Sequence, residues 1–256
     1  MCYNPGVMMK PYARFGVTSV ICATCIALAV FLSTANMAYS GQGIPKEVKA
    51  MLDKMEWLGH DTFKVEAGGI VIYTDPFRLE GSLPKADLIL VTHEHYDHCS
   101  PEDIAKIAGK DTVIVSPGDC EGKLMGNVKR VKPGDTLKEK GVEIKAVPAY
   151  NTNKKFHPKG NNWVGYVITV EGQRIYIAGD TDRIPEMKDI RCDIALLPVS
   201  GTYVMTAEEA AGAAGDIKPK VAVPMHYGTI VGTDTDGDTF KRLYKGESYV
   251  FRKVKR

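Results

Sequence analysis

Acidic residues are missing from the start of this chain. The first is Glu47, and Lys10 and Arg14 are the only charges among the first forty residues. An excess of one sign is missing from the whole, with 33 Lys and Arg against 31 Asp and Glu and a formal net charge of +2. A surface built to neutralise phosphates is strongly basic, so nucleic acid is not an expected partner. Low-complexity linkers, long charge blocks and tandem repeats are also lacking. At 44% hydrophobic and 25% charged residues, the composition excludes a disordered or collagen-like chain. Six cysteines in 256 residues do not make a disulfide-dominated miniprotein. No Gly-x-Ser-x-Gly elbow, Walker loop or dinucleotide fingerprint is present to signal the chemistries those motifs carry.

What the N-terminus does have is an uncharged, mostly apolar run from Phe15 to Leu32, followed by small and polar residues. Ala38-Tyr39-Ser40 before Gly41 fits the small-x-small pattern that signal peptidase reads. Residues 1–40 are therefore expected to be a signal peptide, and the mature chain 41–256 to be exported to the periplasm or the extracellular space. The alternative is an uncleaved N-terminal membrane anchor, because the run is just long enough to span a bilayer. Ile21 and Thr24 precede Cys22 and Cys25 where a lipoprotein signal normally has Gly, Ala or Ser, which disfavours lipidation. Loss of the segment would remove two cations and Cys2, Cys22 and Cys25. It would leave 31 charges of each sign and an odd set, Cys99, Cys120 and Cys192, that cannot pair completely.

The mature chain opens with strands. Residues 55–58, 62–65 and 70–73 are short and β-rich, separated by Gly59-His60-Asp61 and Gly68-Gly69 as in a meander. Asp87 to Val91 is an unbroken apolar stretch after its first residue, the mark of a strand buried on both faces. Ser100-Pro101-Glu102-Asp103 supplies an N-cap, a Pro at the first helical position and acids in the first turn, predicting a helix to about Ala108. Further strands are expected at 112–115, 142–148, 163–170, 174–178, 194–197 and 221–223, with a helix opened by the capping box Thr206-Ala207-Glu208-Glu209. Two strand-rich halves, each with covering helices, imply a four-layer α/β arrangement in which two sheets face each other.

The densest chemistry is His93-Glu94-His95-Tyr96-Asp97-His98, directly after the buried strand. Residues two apart in an extended segment point the same way, so His93 and His95 share a face, and Asp97 and His98 follow as the chain turns. Imidazole nitrogen and carboxylate oxygen suit a divalent ion such as zinc. The competing reading, a loop of solvated histidines, is weakened because side chains packed this closely would repel when protonated. Two ions need donors from other strand ends. Asp180, after Ala178-Gly179, is the candidate bridging carboxylate, with a turn aspartate as the alternative. His226, in Pro224-Met225-His226-Tyr227-Gly228, is the candidate distal ligand.

With these motifs the chain resembles the metallo-β-lactamase fold superfamily, whose signature is HxHxDH followed by a later His, an Asp and a final His. Within it, the chain is similar to small single-domain metal-dependent hydrolases of the L-ascorbate 6-phosphate lactonase and N-acyl-phosphatidylethanolamine phospholipase D groups. The carrying residues are Gly59-His60, Thr74-Asp75-Pro76-Phe77, Thr92 to His98, Ala178 to Asp182 and Pro224 to Gly228. The resemblance implies an αββα sandwich of two mixed β-sheets flanked by helices. It also implies that His93 and His95 bind a first metal, that Asp97, His98 and His226 bind a second, and that Asp180 bridges.

One position departs from that pattern. Where many relatives place the remaining first-site histidine, this chain has Pro148-Ala149-Tyr150-Asn151. A neutral amide is a poor donor to zinc, so His157, in Phe156-His157-Pro158-Lys159-Gly160, is favoured as the third ligand. A surface-loop histidine, a substrate contact and a single-metal site with an incomplete first position are the alternatives. Asp75 is expected to orient a ligand imidazole from outside, a plain turn role being equally compatible. His60 is expected to be a turn or core histidine, with a place facing the cleft as the alternative; Lys159 is expected to be an exposed lysine, with contact to an anionic substrate group as the alternative; and Cys99 is expected to be a small buried residue off the ligand positions.

The expected function is a secreted metal-dependent hydrolase of a small ester, lactone, amide or phosphodiester. Two ions, zinc first with Mn2+ or Fe2+ as alternatives, would lower the pKa of a shared water to about 7, and Asp97 would shuttle the proton. An iron-dependent oxidoreductase and a non-catalytic metal- or ligand-binding protein are the rival readings. The expected partner is a small-molecule substrate, with membrane contact only if the N-terminal segment stays uncleaved.

Overall fold

Alternating and continuous apolar runs sort the chain into two six-stranded sheets. A computed structural model describes residues 43–253, which fall within one unit, Tyr39–Arg256. The segment read as a signal peptide or anchor, 1–40, lies outside the described residues. Among the described residues, no helix is long and apolar enough to cross a membrane.

After helix α1 (Lys46–Leu52), strands β1 (Met55–Gly59), β2 (Thr62–Ala67) and β3 (Ile70–Thr74) form the expected antiparallel meander. Strands β4 (Ala86–Leu90), β5 (Ala108–Pro117) and β6 (Asn127–Val131) extend that sheet in parallel. The second sheet mirrors this plan. Strands β7 (Thr136–Glu139), β8 (Val142–Pro148), β9 (Val164–Val170) and β10 (Gln173–Ile177) are antiparallel, and β11 (Ile194–Pro198) and β12 (Val221–Met225) continue in parallel. Parallel neighbours need crossover connections, and helices α2 (Pro101–Ile107) and α3 (Ala207–Ile217) supply two of them.

Side-chain alternation builds the layers. In β4, Leu88 and Leu90 join Phe63, Val113, Ile144 and Tyr166 in the cluster between the sheets, while Ile89, with Val91 just past the strand end, joins Ile104 and Ile107 of α2 on the outer face. A strand sandwiched this way has to be apolar at every inward and outward position, which is why it reads as an unbroken run. Each such Leu, Ile or Val contributes about 1.5–3 kcal/mol on burial. Helix α3 packs on β11, and α4 (Asp236–Leu243) packs on β12, completing four layers.

The caps form as expected. Ser100 Oγ accepts from Asp103 N, and Thr206 and Glu209 close a reciprocal capping box. Asp103 does more than favour a helix start, because its carboxylate also accepts from Arg78 N and Leu79 N at 2.8 and 2.9 Å. The loop after β3 is thereby tied to α2.

The layout fixes where a site can form. β1, β3 and β4 end on one edge of the first sheet, and β8, β10, β11 and β12 end on one edge of the second. Tyr166 Oη donates to Val91 O at 2.7 Å and His226 N to His60 O at 3.0 Å, joining the two edges.

Candidate metal centre

The motif after β4 is a tight bend. His98 N and Cys99 N both donate to His95 O, at 3.0 and 2.8 Å, so the segment is less extended than expected. The turn swings Asp97 and His98 to a different position from His93 and His95, and two separate donor groups result. In the first, donor atoms of His93, His95 and His157 lie within 4.8 Å of one another, with His93 Nε2 and His95 Nδ1 3.0 Å apart. In the second, donor atoms of His60, Asp97, His98 and His226 are equally close.

Asp180 lies between the groups. Its Oδ2 is 3.1 Å from His157 Nε2, and its Oδ1 is 3.1 Å from His226 Nε2 and 3.4 Å from His98 Nε2. One oxygen therefore serves each group. Gly179 brings Asp180 this close, because at its φ of +63° an added Cβ would sit 2.9 Å from Thr92 Cβ.

Four of the six imidazoles are anchored on their outer side. His98 Nδ1 is 2.9 Å from Asp75 Oδ2, His157 Nδ1 is 3.1 Å from Asn151 Oδ1, and His226 Nδ1 is 2.9 Å from Ser200 Oγ. His93 Nδ1 is 3.0 Å from Thr92 Oγ1, which itself donates to Asp75 Oδ2 at 2.8 Å. A carboxylate or amide oxygen can only accept, so neutral His98 and His157 carry their proton on Nδ1 and turn a lone pair inward. Asn151, weak as a ligand, is the anchor of His157: its Oδ1 also accepts from His157 N at 2.9 Å. Asp75 Oδ2 lies against both His98 Nδ1 and the Thr92 hydroxyl that meets His93.

Inward atoms lack partners. His98 Nε2, His157 Nε2, His226 Nε2 and Asp180 Oδ1 are buried with no hydrogen bond. Unsatisfied lone pairs converging from two sides of one carboxylate are a poor arrangement for a dry core and a good one for divalent ions. The residues fit a metal pair on this ground.

The electrostatics agree. Burial pushes His98 and His226 down, but Asp180, with Asp75 and Asp61, outweighs it and holds His98 well above its ordinary value and His226 above. Burial raises Asp180, and the adjacent His226 and His98 hold it well below the usual carboxylate range. Burial and the neighbouring His98 keep His93 well below normal. Burial also raises Asp97, but His60 and His98 bring it to about 2. The same buried negative charge that retains protons on two imidazoles would neutralise a cation.

Two residues here stand outside the expected donor set. His60, expected as a turn or core histidine, is buried in the second group with its Nε2 3.1 Å from Asp97 Oδ2. Asp61 is wholly buried beside His98 with neither oxygen hydrogen-bonded, and burial pushes it up to about 8. Both belong to the turn between β1 and β2, and Gly59-His60-Asp61 signalled only a chain reversal.

Other expectations resolve simply. Lys159 is engaged by Glu186 at 2.9 Å and Tyr150 Oη at 3.2 Å. Cys99, Cys120 and Cys192 are buried free thiols. Tyr96, 66% exposed beside Asp97, and Phe156, 41% exposed beside His157, are the large apolar side chains next to the donors that face solvent. A cavity of about 310 Å³ opens elsewhere, against Lys145, Val167 and Arg174, and none of its lining residues belongs to the donor groups.

Known proteins resemble this chain in sequence and in fold. The family described as the Beta-lactamase superfamily domain matches residues 54–226, a span that holds every donor named above. A UPF0173 metal-dependent hydrolase of Methanopyrus kandleri is 37% identical over 209 residues, covering 74% of this chain and 90% of that protein. Another, from Archaeoglobus fulgidus, is 31% identical over 236 residues, covering 78% of this chain and all of that protein. Among solved structures, a protein of Parabacteroides distasonis described as a candidate metal-dependent hydrolase has a TM-score of 0.70 at 38% identity, covering 78% of this chain and 93% of its own. Igni18, a metallo hydrolase of Ignicoccus hospitalis, has a TM-score of 0.63 at 26% identity over 78% of this chain and 95% of its own.

Proposed function

The chain belongs to the metallo-β-lactamase superfamily and is a metal-dependent hydrolase, and from that premise we propose that it uses two divalent ions, zinc foremost, to hydrolyse a small ester, lactone, amide or phosphodiester. The observation that carries the reading is the set of buried, unpartnered nitrogens His98 Nε2, His157 Nε2 and His226 Nε2 around Asp180. His93, His95 and His157 would hold one ion, Asp97, His98 and His226 the other, and Asp180 would bridge. Bound there, the ions supply Lewis-acid polarisation of the scissile group and a water acidic enough to act at neutral pH.

The chain's own groups do the rest. Asp75, Asn151 and Ser200 fix the imidazoles in their donor orientation before any ion arrives. Asp97 is 16% exposed, against 4% for Asp180, so it is the acid best placed to pass a proton between the site and solvent. Tyr96 and Phe156, exposed next to Asp97 and His157 in the chain, would offer apolar contact to an uncharged substrate portion.

The test is elemental analysis of the purified mature chain, coupled to a turnover panel of lactone, β-lactam, amide and phosphodiester substrates. Two zinc or manganese ions and an activity lost in the Asp97→Ala, His98→Ala double variant are expected. Two irons with oxygen-dependent turnover, or hydrolysis retained in the double variant, would refute the reading.

A further inference from the structure

Four of the five buried imidazoles are held at Nδ1 by a neighbouring side chain, and His60 is the exception. Its Nδ1 is buried with no partner, and its Nε2 is 3.1 Å from Asp97 Oδ2. A carboxylate accepts, so the proton of neutral His60 is on Nε2. That nitrogen cannot donate to Asp97 and offer a lone pair to an ion at once. A ligating histidine almost always gives its outer N–H to a second partner, and His60 has none.

The backbone is committed to this placement. His60 has a φ of +52°, left-handed for a β-carbon-bearing residue, and its carbonyl accepts from His226 N at 3.0 Å and Trp57 Nε1 at 2.8 Å. Its ring lies 4.0 Å from the His226 ring and 5.3 Å from the His98 ring, centroid to centroid. The position is thus held from both sheets and by two of the second group's own imidazoles. A strained residue so firmly fixed is where a functional constraint is expected.

We propose that His60 is the positioning residue of Asp97: its Nε2–H fixes the carboxylate in the orientation that one ion of the pair requires. This rests on the two-ion reading above. His60 itself touches neither ion nor substrate, and its contribution is to the affinity of one ion.

The experiment compares wild type, H60Q and H60N as purified mature protein, by zinc stoichiometry and by competition with a chromogenic chelator. Glutamine carries an N–H close to where Nε2 lies, whereas asparagine tolerates the left-handed backbone but falls short of Asp97. H60N is expected to weaken one of the two ions by roughly 10- to 100-fold, and H60Q to restore most of that affinity. Wild-type affinity in both variants would overturn the proposal in favour of a packing role. H60Q as weak as H60N would overturn it in favour of direct ligation. Wild type that binds no divalent ion would sink the underlying reading instead, so the two failures are distinguishable.

Discussion

Replacing Asp75 by asparagine is the sharpest perturbation of this centre that keeps the side-chain shape. Asp75 is fully buried at the end of β3, and its carboxylate takes three hydrogen bonds: Thr92 N on Oδ1 at 2.8 Å, and Thr92 Oγ1 at 2.8 Å with His98 Nδ1 at 2.9 Å on Oδ2. All three partners donate, and an amide has one oxygen. If that oxygen stays with Thr92 N, the new NH2 group faces the Thr92 hydroxyl and His98 Nδ1–H. His98 can then escape only by moving its proton to Nε2, which leaves no lone pair for an ion. If the amide flips, its NH2 group faces the backbone donor Thr92 N–H, which cannot adapt.

Hydrogen bonds to a charged group are worth about 1.5–3 kcal/mol each, so losing one with partial adjustment elsewhere should cost roughly 3 kcal/mol. For a domain of this size that lowers Tm by about 6–12 °C. Metal affinity should fall roughly 10- to 100-fold, about 1.4–2.8 kcal/mol. Thermal melts with and without zinc, plus chelator competition, measure both quantities. Asp75→Asn with Tm within about 1 °C of wild type and unchanged affinity would refute this account of how the imidazoles are oriented.

His157→Ala should lower metal occupancy more than Asn151→Ala, because one removes a donor and the other its anchor; the reverse order in elemental analysis would exclude His157 as a ligand. Gly179→Ala combines a φ of +63° with a 2.9 Å approach to Thr92 Cβ, and should destabilise by about 2–4 kcal/mol in denaturant melts. Asp103 lies below the usual carboxylate range because Lys106, Leu79 N, Ser100 and Arg78 N outweigh the opposing effect of burial. Its contribution is therefore complete above the ordinary carboxylate pKa and lost as pH falls through the lowered folded value. Asp103→Asn should cost about 1.5–3 kcal/mol at pH 7, and the gap to wild type should close as pH falls through that lowered value. Free zinc at 100 times the dissociation constant of a site should stabilise the protein by about 2.7 kcal/mol for each site filled, a gain that a chelator abolishes in the same melt.

Much of this was legible because metal chemistry and strand burial leave local signatures. The donors His93, His95, Asp97 and His98 stand within one turn, and Asp180 and His226 each follow a short apolar strand, so periodicity placed them at strand ends. What was not legible is whatever depends on a partner distant in sequence. β6 and β7 are partly exposed and polar along much of their length, so neither shows a clean alternation. α4 carries Gly237 in its first turn and buries little beyond Phe240. His60 and Asp61 owe their places to Asp97 and His98, reached only when β1 lies beside its neighbours in the sheet. Donor chemistry favours His157 over Asn151, but the hydrogen bond from His157 to Asn151 Oδ1 depends on how the intervening loop folds.

The split of donors between one short turn and several distant strand ends also divides the order in which the centre assembles. The turn at 93–98 needs only local closure, which costs little chain entropy, whereas Asp180 and His226 arrive only after β10 and β12 have paired across a large loop. An unfolded or nascent chain thus already offers an ion several of its ligands, and such weak early binding stabilises the unfolded state as well as the native one. Excess metal during refolding should give a smaller net gain than the native affinity alone implies. That shortfall should widen as free metal rises and the weaker sites of the unfolded chain fill.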